Sequence, residues 1–256
     1  MALIDSHCHL DALEFSLDRD AVVARASTRG VRHIIVPAVH AQNFAQVQAT
    51  CRRYALCRAA YGLHPMFVAQ HQPQDLQVLR QILQTEPAVA VGEIGLDGWD
   101  KGLDWALQLT WFEAQLNLAD ELALPVLLHV RHAVDAVILQ LRRTGVRRGI
   151  AHAFNGSLQQ AGQLIDMGFK LGFGGAVTWP NAIRLRALAV HVPLSCIVLE
   201  TDAPDMSPAW ARGQRNQPEY IARIAHELAM LRGIHVEEVS AVTTANVQQV
   251  LGVLDE

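Results

Sequence analysis

The chain has 256 residues, and 21 lysines and arginines against 25 aspartates and glutamates leave a formal charge of −4. Half of it is apolar and 18% is charged, which supplies a large core and excludes disordered and collagen-like classes. No apolar run nears the roughly 18 residues of a membrane span, and the acidic balance gives no broad basic face for bulk nucleic-acid binding. Cys8, Cys51, Cys57 and Cys196 lack CxxC spacing and read as buried thiols. The first residues carry neither a basic stretch nor an apolar segment with a cleavage site, so the expected location is the cytoplasm.

Short aliphatic runs alternate with stretches of helical periodicity. In chain order the pattern predicts a strand at Leu3–His7, a helix at Asp18–Arg29, a strand at His33–Val39 and a helix at Ala41–Tyr54. It continues with a strand at Arg58–Leu63, a helix at Asp75–Thr85, a strand at Val89–Glu93 and a helix at Asp104–Leu122. Then come a strand at Val126–Val130, a helix at Ala133–Arg143, a strand at Gly149–Phe154 and a helix at Leu158–Met167. A strand at Phe169–Phe173, a helix at Ala182–Ala189 and a strand at Ile197–Thr201 complete eight strands. Two further amphipathic helices, Glu219–Leu231 and Val236–Leu251, follow an irregular stretch from Pro204 to Pro218, which is a candidate active-site cover. Runs such as Val126-Leu127-Leu128 suit strands covered on both faces, and a strand–helix unit of roughly 32 residues suits a (β/α)8 TIM-type barrel. The expectation is one barrel domain over residues 1–256 with extra C-terminal helices, and a doubly wound open sheet is the rival.

The residues with chemistry collect at predicted strand ends. His7 and His9 alternate at the end of the first strand, so both imidazoles are expected to face one way. Glu93 closes the fourth strand, His129 nearly closes the fifth, His152 lies in the sixth and Asp202 follows the eighth. Parallel barrel strands direct those ends to one face, where catalytic groups of such barrels lie. Four histidines and two carboxylates on one rim have no good structural explanation, since buried polar groups must find partners. Six ligands exceed one ion's usual protein share, and a carboxylate can bridge two ions, so Glu93 is the candidate bridge. Two divalent ions so placed would acidify a shared water and polarise the oxygen under attack, which predicts metal-assisted hydrolysis. Imidazole and carboxylate suit Zn, Mn, Co or Ni, with Mg tolerated mainly on the carboxylates, so the metal stays open.

Six segments along the chain are similar to the TatD family of metal-dependent hydrolases and deoxyribonucleases, within the amidohydrolase-like barrels. They are Asp5-Ser-His-Cys-His-Leu10, Gly62-Leu-His-Pro65, Gly92-Glu-Ile-Gly-Leu-Asp97, His129-Val-Arg131, His152-Ala-Phe-Asn-Gly-Ser157 and Glu200-Thr-Asp-Ala-Pro204. The resemblance implies one ion held by His7, His9, Glu93 and Asp202, and a second held by Glu93, His129 and His152. It also implies that Asp202 serves as base to the attacking water. His64 matches a family position near the site, fit for a phosphate oxygen or an acid role, while Pro65 alone could make that turn special. Arg131 follows His129 by two and is placed to grip phosphate. Arg215-Asn216 resembles a family Arg-Asn-Glu-Pro stretch, but Gln217 stands where glutamate is usual. Gly98-Trp99 replaces a common aromatic pair, and Phe154-Asn155 departs from a common Cys-Phe, so substrate contacts have diverged.

The catalytic candidates are therefore Asp202, Glu93 and His64, and the substrate-contact candidates are Arg131, Asn155 and Arg215. Trp99, Trp179 and Trp210 could stack on a nucleobase, whereas Trp111 sits in an apolar helical pattern suited to the core. The expected activity is phosphodiester hydrolysis, on a DNA end in a 3′–5′ exonucleolytic sense or on a small phosphoester, with no membrane and no obligate protein partner. A C–N hydrolase of the same superfamily and a non-catalytic binding barrel are the alternatives. Many C–N hydrolase sites use a carboxylated lysine as bridge, and Lys101 and Lys170 lie away from the fourth strand's end.

Overall fold

The computed structural model describes residues 1–252. Eight strands alternate with helices: β1 (Leu3–Asp5), α1 (Arg19–Thr28), β2 (Val31–Pro37), α2 (Phe44–Arg53), β3 (Cys57–Tyr61), α3 (Asp75–Thr85), β4 (Ala88–Asp97) and α4 (Trp105–Glu121). The order continues with β5 (Val126–Arg131), α5 (Val134–Thr144), β6 (Gly149–Ala151), α6 (Leu158–Asp166), β7 (Phe169–Phe173), α7 (Ile183–His191), β8 (Ile197–Leu199), α8 (Ile221–Arg232) and α9 (Val236–Leu251). All ladders are parallel and run in sequence order from β1 to β8. Among the described residues no ladder joins β8 to β1. That seam is stitched instead by Ser6 N–H to Leu199 O (3.0 Å) and Asp202 N–H to His7 O (2.8 Å). The sheet is thus a nearly closed (β/α)8 barrel, as the alternation of strand and helix implies, and not an open doubly wound sheet.

Two apolar layers hold it together. Residues facing the helices form the larger one, whereas Ile4, Ile35, Ala60, Ala90, Leu127, Ile150 and Val198 form a small interior layer. Val247, Val250 and Leu251 of α9 join that interior layer, so the last helix is packed against the barrel's inner core. Local chemistry sets the helix starts: Asp104 Oδ1 accepts from Leu107 N–H (2.9 Å) before α4, and Ser157 and Gln160 cap each other before α6. Gly145, at φ +80°, ends α5 in the left-handed conformation that glycine adopts without a side-chain clash.

The strands differ from the expected spans where the functional residues begin. β1 stops at Asp5, β6 at Ala151 and β8 at Leu199, so His7, His9, His152 and Asp202 lie just beyond their ladders. Strand alternation therefore does not explain why His7 and His9 face together, contrary to the sequence expectation. Their imidazoles turn off the ladder toward the mouth of the barrel, and Asp202 does so at φ +57°. β4 runs four residues further than expected, through a register shift between Val91 and Ile94 that falls at Glu93. Gly95, at φ +149°, permits β4 and β5 to pair there, because a Cβ would lie 2.0 Å from His129 O.

Candidate metal centre

The four side chains expected at the first ion converge. His7 Nε2 lies 3.3 Å from His9 Nε2, 3.1 Å from Glu93 Oε2 and 3.6 Å from Asp202 Oδ1. His9 Nε2 lies 3.5 Å from Glu93 Oε2 and 3.7 Å from Asp202 Oδ1. The edge of a tetrahedron around an ion with ligands at ~2.0–2.1 Å is about 3.4 Å, and these five separations lie near it, with His7, His9 and Asp202 forming one compact group of ligand atoms that Glu93 adjoins. A second cluster uses the other oxygen of the same carboxylate. Glu93 Oε1 is 3.0 Å from His129 Nδ1 and 2.9 Å from His152 Nε2, and those nitrogens are 3.5 Å apart. The donor set is imidazole and carboxylate throughout, which fits divalent transition metals.

The centre is buried, and its charges answer one another. Burial alone would raise the Glu93 carboxyl, yet His64, His152 and His7 around it hold it well below the usual carboxylate range. Burial, with His152 beside it, pushes His7 down to about 3, so this imidazole is neutral and its lone pair free. Burial raises Asp202 to about 6, and at 13% exposure it is more open than Glu93 or His7. His129 and His152 are held above the ordinary histidine value despite burial, the first by Asp97 and Glu93, the second mainly by Glu93 and then Glu200.

His64 enters this centre in a definite protonation pattern. Its Nδ1 accepts from Met66 N–H (3.1 Å), and burial lowers it to about 4, so the ring is neutral and the proton sits on Nε2. That N–H faces Glu93 Oε1 at 3.0 Å. His64 is thus a donor beside the bridge, with no lone pair left on Nε2 for an ion. His71 Nε2 lies 3.0 Å from His64 O and steadies the turn, while the Trp111 ring packs on His71.

Three polar residues support the centre and had no role assigned from sequence. Asp97 Oδ2 lies 3.0 Å from His129 Nε2, which leaves Nδ1 directed at the ion position. Its other oxygen accepts from Trp99 N–H (2.8 Å) and Asp100 N–H (3.2 Å). Glu200 Oε1 accepts from Ala153 N–H (2.5 Å) and lies 3.7 Å from His152 Nδ1. Asn216, fully buried, donates to Thr201 O (2.7 Å) and Asp205 O (2.8 Å) and so fixes the turn that carries Asp202. The register shows why Asp97 reaches His129: it pairs with Arg131, two residues past the Gly95–His129 pair, so it shares the face of His129.

The three expected substrate contacts separate. Arg131 stays at the mouth, 46% exposed, with Nη1 3.8 Å from Asp97 Oδ2. Asn155 is exposed on the loop after β6. Arg215 makes a bidentate ion pair with Asp18 (2.7 and 2.8 Å) and covers the Phe15 ring at 4.5 Å. Its guanidinium ties the 204–218 segment to the start of α1, a structural use of a residue read as a phosphate contact.

The family model described as TatD-related DNase matches residues 4–252. The chain belongs to the TatD family. An Escherichia coli K12 protein described as the uncharacterized metal-dependent hydrolase YjjV is 42% identical over 240 residues, covering 93% of each chain. The crystal structure of that TatD homologue superposes with a TM-score of 0.94 at 40% identity and covers 97% of both chains. The Bacillus subtilis metal-dependent hydrolase YabD is 33% identical over 250 residues, 96% of this chain and 98% of its own. This TatD-family chain is accordingly a metal-dependent hydrolase, and its His, Glu and Asp groupings fit metal binding. Among the described residues no helix is long and apolar enough to cross a membrane.

Proposed function

We propose that this chain is a dinuclear phosphodiesterase of the cytoplasm that acts on DNA ends, in the 3′–5′ sense, or on small phosphoesters. The observation that carries the reading is Glu93, whose two oxygens each belong to a separate group of ligand atoms. His7, His9, Glu93 and Asp202 would hold one ion, and Glu93, His129 and His152 the other. When bound, divalent ions supply an acidified water and a Lewis acid for the phosphoryl oxygen. The chain's own groups complete the chemistry. Asp202, raised by burial to about 6 and open to the mouth, accepts the proton of the attacking water and returns it to the leaving oxygen. His64 directs its Nε2 proton at the bridge and at any oxygen bound beside it. Arg131 offers a planar, half-exposed guanidinium to the phosphate.

The C–N hydrolase alternative has less support in the surroundings of the centre. Lys101 Nζ bonds Gly98 O and Lys170 Nζ bonds Ser195 O, so neither lysine serves as a carboxylated bridge. The deciding experiment is hydrolysis of 3′- and 5′-labelled single-stranded DNA by purified protein with Mg²⁺ or Mn²⁺, beside an EDTA control and Glu93→Ala. Metal-dependent cleavage absent from the variant is expected, with the label order giving direction. Protein holding two ions that leaves every phosphodiester intact would end this reading, and protein that takes up no divalent ion would indicate a non-catalytic barrel.

A further inference from the structure

At the mouth, immediately beside the β4–β5 pair that carries Glu93 and His129, an aromatic ring stands out from the surface. Trp99 is 57% exposed, unusual for an indole, whose large apolar area normally leaves water. The turn that carries it is held firmly. Its own backbone N–H is bonded to Asp97 Oδ1 at 2.8 Å, the following N–H of Asp100 joins the same oxygen at 3.2 Å, and Gly98 N–H bonds Arg131 O at 2.7 Å. The Arg131 guanidinium lies 5.1 Å from the Trp99 ring, and the His132 ring is 4.9 Å away at 46°. Ring, guanidinium and imidazole thus make a shelf of three planar groups tilted against one another, with Trp99, Arg131 and His132 all exposed.

The shelf is mounted on the ion site itself. Asp97 holds the Trp99 turn with one oxygen and His129 with the other, and Arg131 approaches that second oxygen. Arg131 is two residues beyond His129 on β5, a rise of about 7 Å along the strand. A group attached to a phosphate at the centre would have this shelf beside it along β5. Planar, polarisable side chains flanked by a cation recognise heteroaromatic rings by stacking, without reading their edges.

We infer that Trp99 and Arg131 form a base-stacking subsite for the nucleobase of the nucleotide whose phosphate lies at the metal centre. The inference rests on the phosphodiesterase reading and narrows it: the substrate carries a base next to the cleaved bond, so a nucleic-acid end or nucleotide ester is favoured over a base-free phosphoester. Trp99 is a specificity residue, and it does not touch the reacting atoms.

The test is calorimetric binding of thymidine 5′-monophosphate and of deoxyribose 5-phosphate, with Mn²⁺ present, to wild type, Trp99→Ala and Trp99→Phe. The base is expected to tighten binding to wild type by about tenfold or more. In Trp99→Ala that advantage falls below about threefold, while Trp99→Phe keeps most of it. Equal affinity for the two ligands in wild type, or an advantage undiminished in Trp99→Ala, overturns the subsite. The two readings separate cleanly. Cleavage of labelled DNA without a base advantage removes the subsite and leaves the phosphodiesterase, whereas a Trp99-dependent advantage without any cleavage leaves a nucleotide-binding subsite and removes the phosphodiesterase.

Discussion

Asp97 shows how much of the centre depends on residues that touch no ion. By accepting from His129 Nε2 it selects the tautomer whose Nδ1 is free, a contact that an amide reproduces only weakly. Asp97→Asn is expected to weaken the second ion about 10- to 100-fold and to leave the first nearly unchanged, as read by calorimetric titration with Zn²⁺ or Mn²⁺. The same asymmetry governs pH. His129 and His152 have raised values in the ion-free protein, so each must lose a proton before it can ligate. Affinity at the second position is complete above those raised values and falls as the pH drops through them, by up to about tenfold per unit for each proton displaced. His7, lowered to about 3, stays neutral, and the first position holds until Asp202 protonates near 6. Titrations carried downward in pH toward the ordinary histidine value are expected to show the steeper loss at the second ion.

At the scale of elements, the mouth depends on which backbone makes room for which side chain. Gly172 of β7 lies under Glu200, and a Cβ there would fall 2.2 Å from Glu200 Oε2. Gly172→Ala is therefore expected to push that carboxylate off Ala153 N–H and His152, with the barrel still folded by circular dichroism and the second ion bound at least about tenfold more weakly. Retention of both ions at wild-type affinity would show that Glu200 does not support His152. These element-level relations mark the limit of what the sequence discloses. Apolar runs such as Val126–Leu128 made the strands legible, and repeated polar residues at their ends made all six ligand candidates legible. Strand ends at the mouth were not, because His7, His9 and His152 leave the ladder where apolar alternation gives way to a demand for ligand geometry. The Arg215 pairing with Asp18 was hidden for a related reason: a guanidinium in a loop has the same local sequence whether it meets a phosphate or a carboxylate. Asp97 and Glu200 were legible as motif letters but not as supports, since their roles require knowing which strands are neighbours and in what register.

For the molecule as a whole, α9 makes the barrel's interior a property of the C-terminal segment. Val247, Val250 and Leu251 pack with Ile4, Leu127 and Val198, so the helix the sequence marked only as amphipathic completes the innermost layer. Val247→Ala is expected to cost on the order of 2 kcal/mol in urea unfolding without changing the ratio of bound ions to protein. A change in ion content would mean that the inner layer and the mouth are coupled. The seam between β8 and β1 carries a different consequence, one that concerns the order of events in the life of the chain. His129 and His152 meet Glu93 within a span of sixty residues, whereas the other ion position joins His7 and His9 to Asp202 across the stitched edge. The residues of one half of the centre are therefore all in place along the chain by His152, whereas the other half waits for Asp202, after the last strand. An ion held at the seam would act as a clasp, and its uptake would report that the ring has closed.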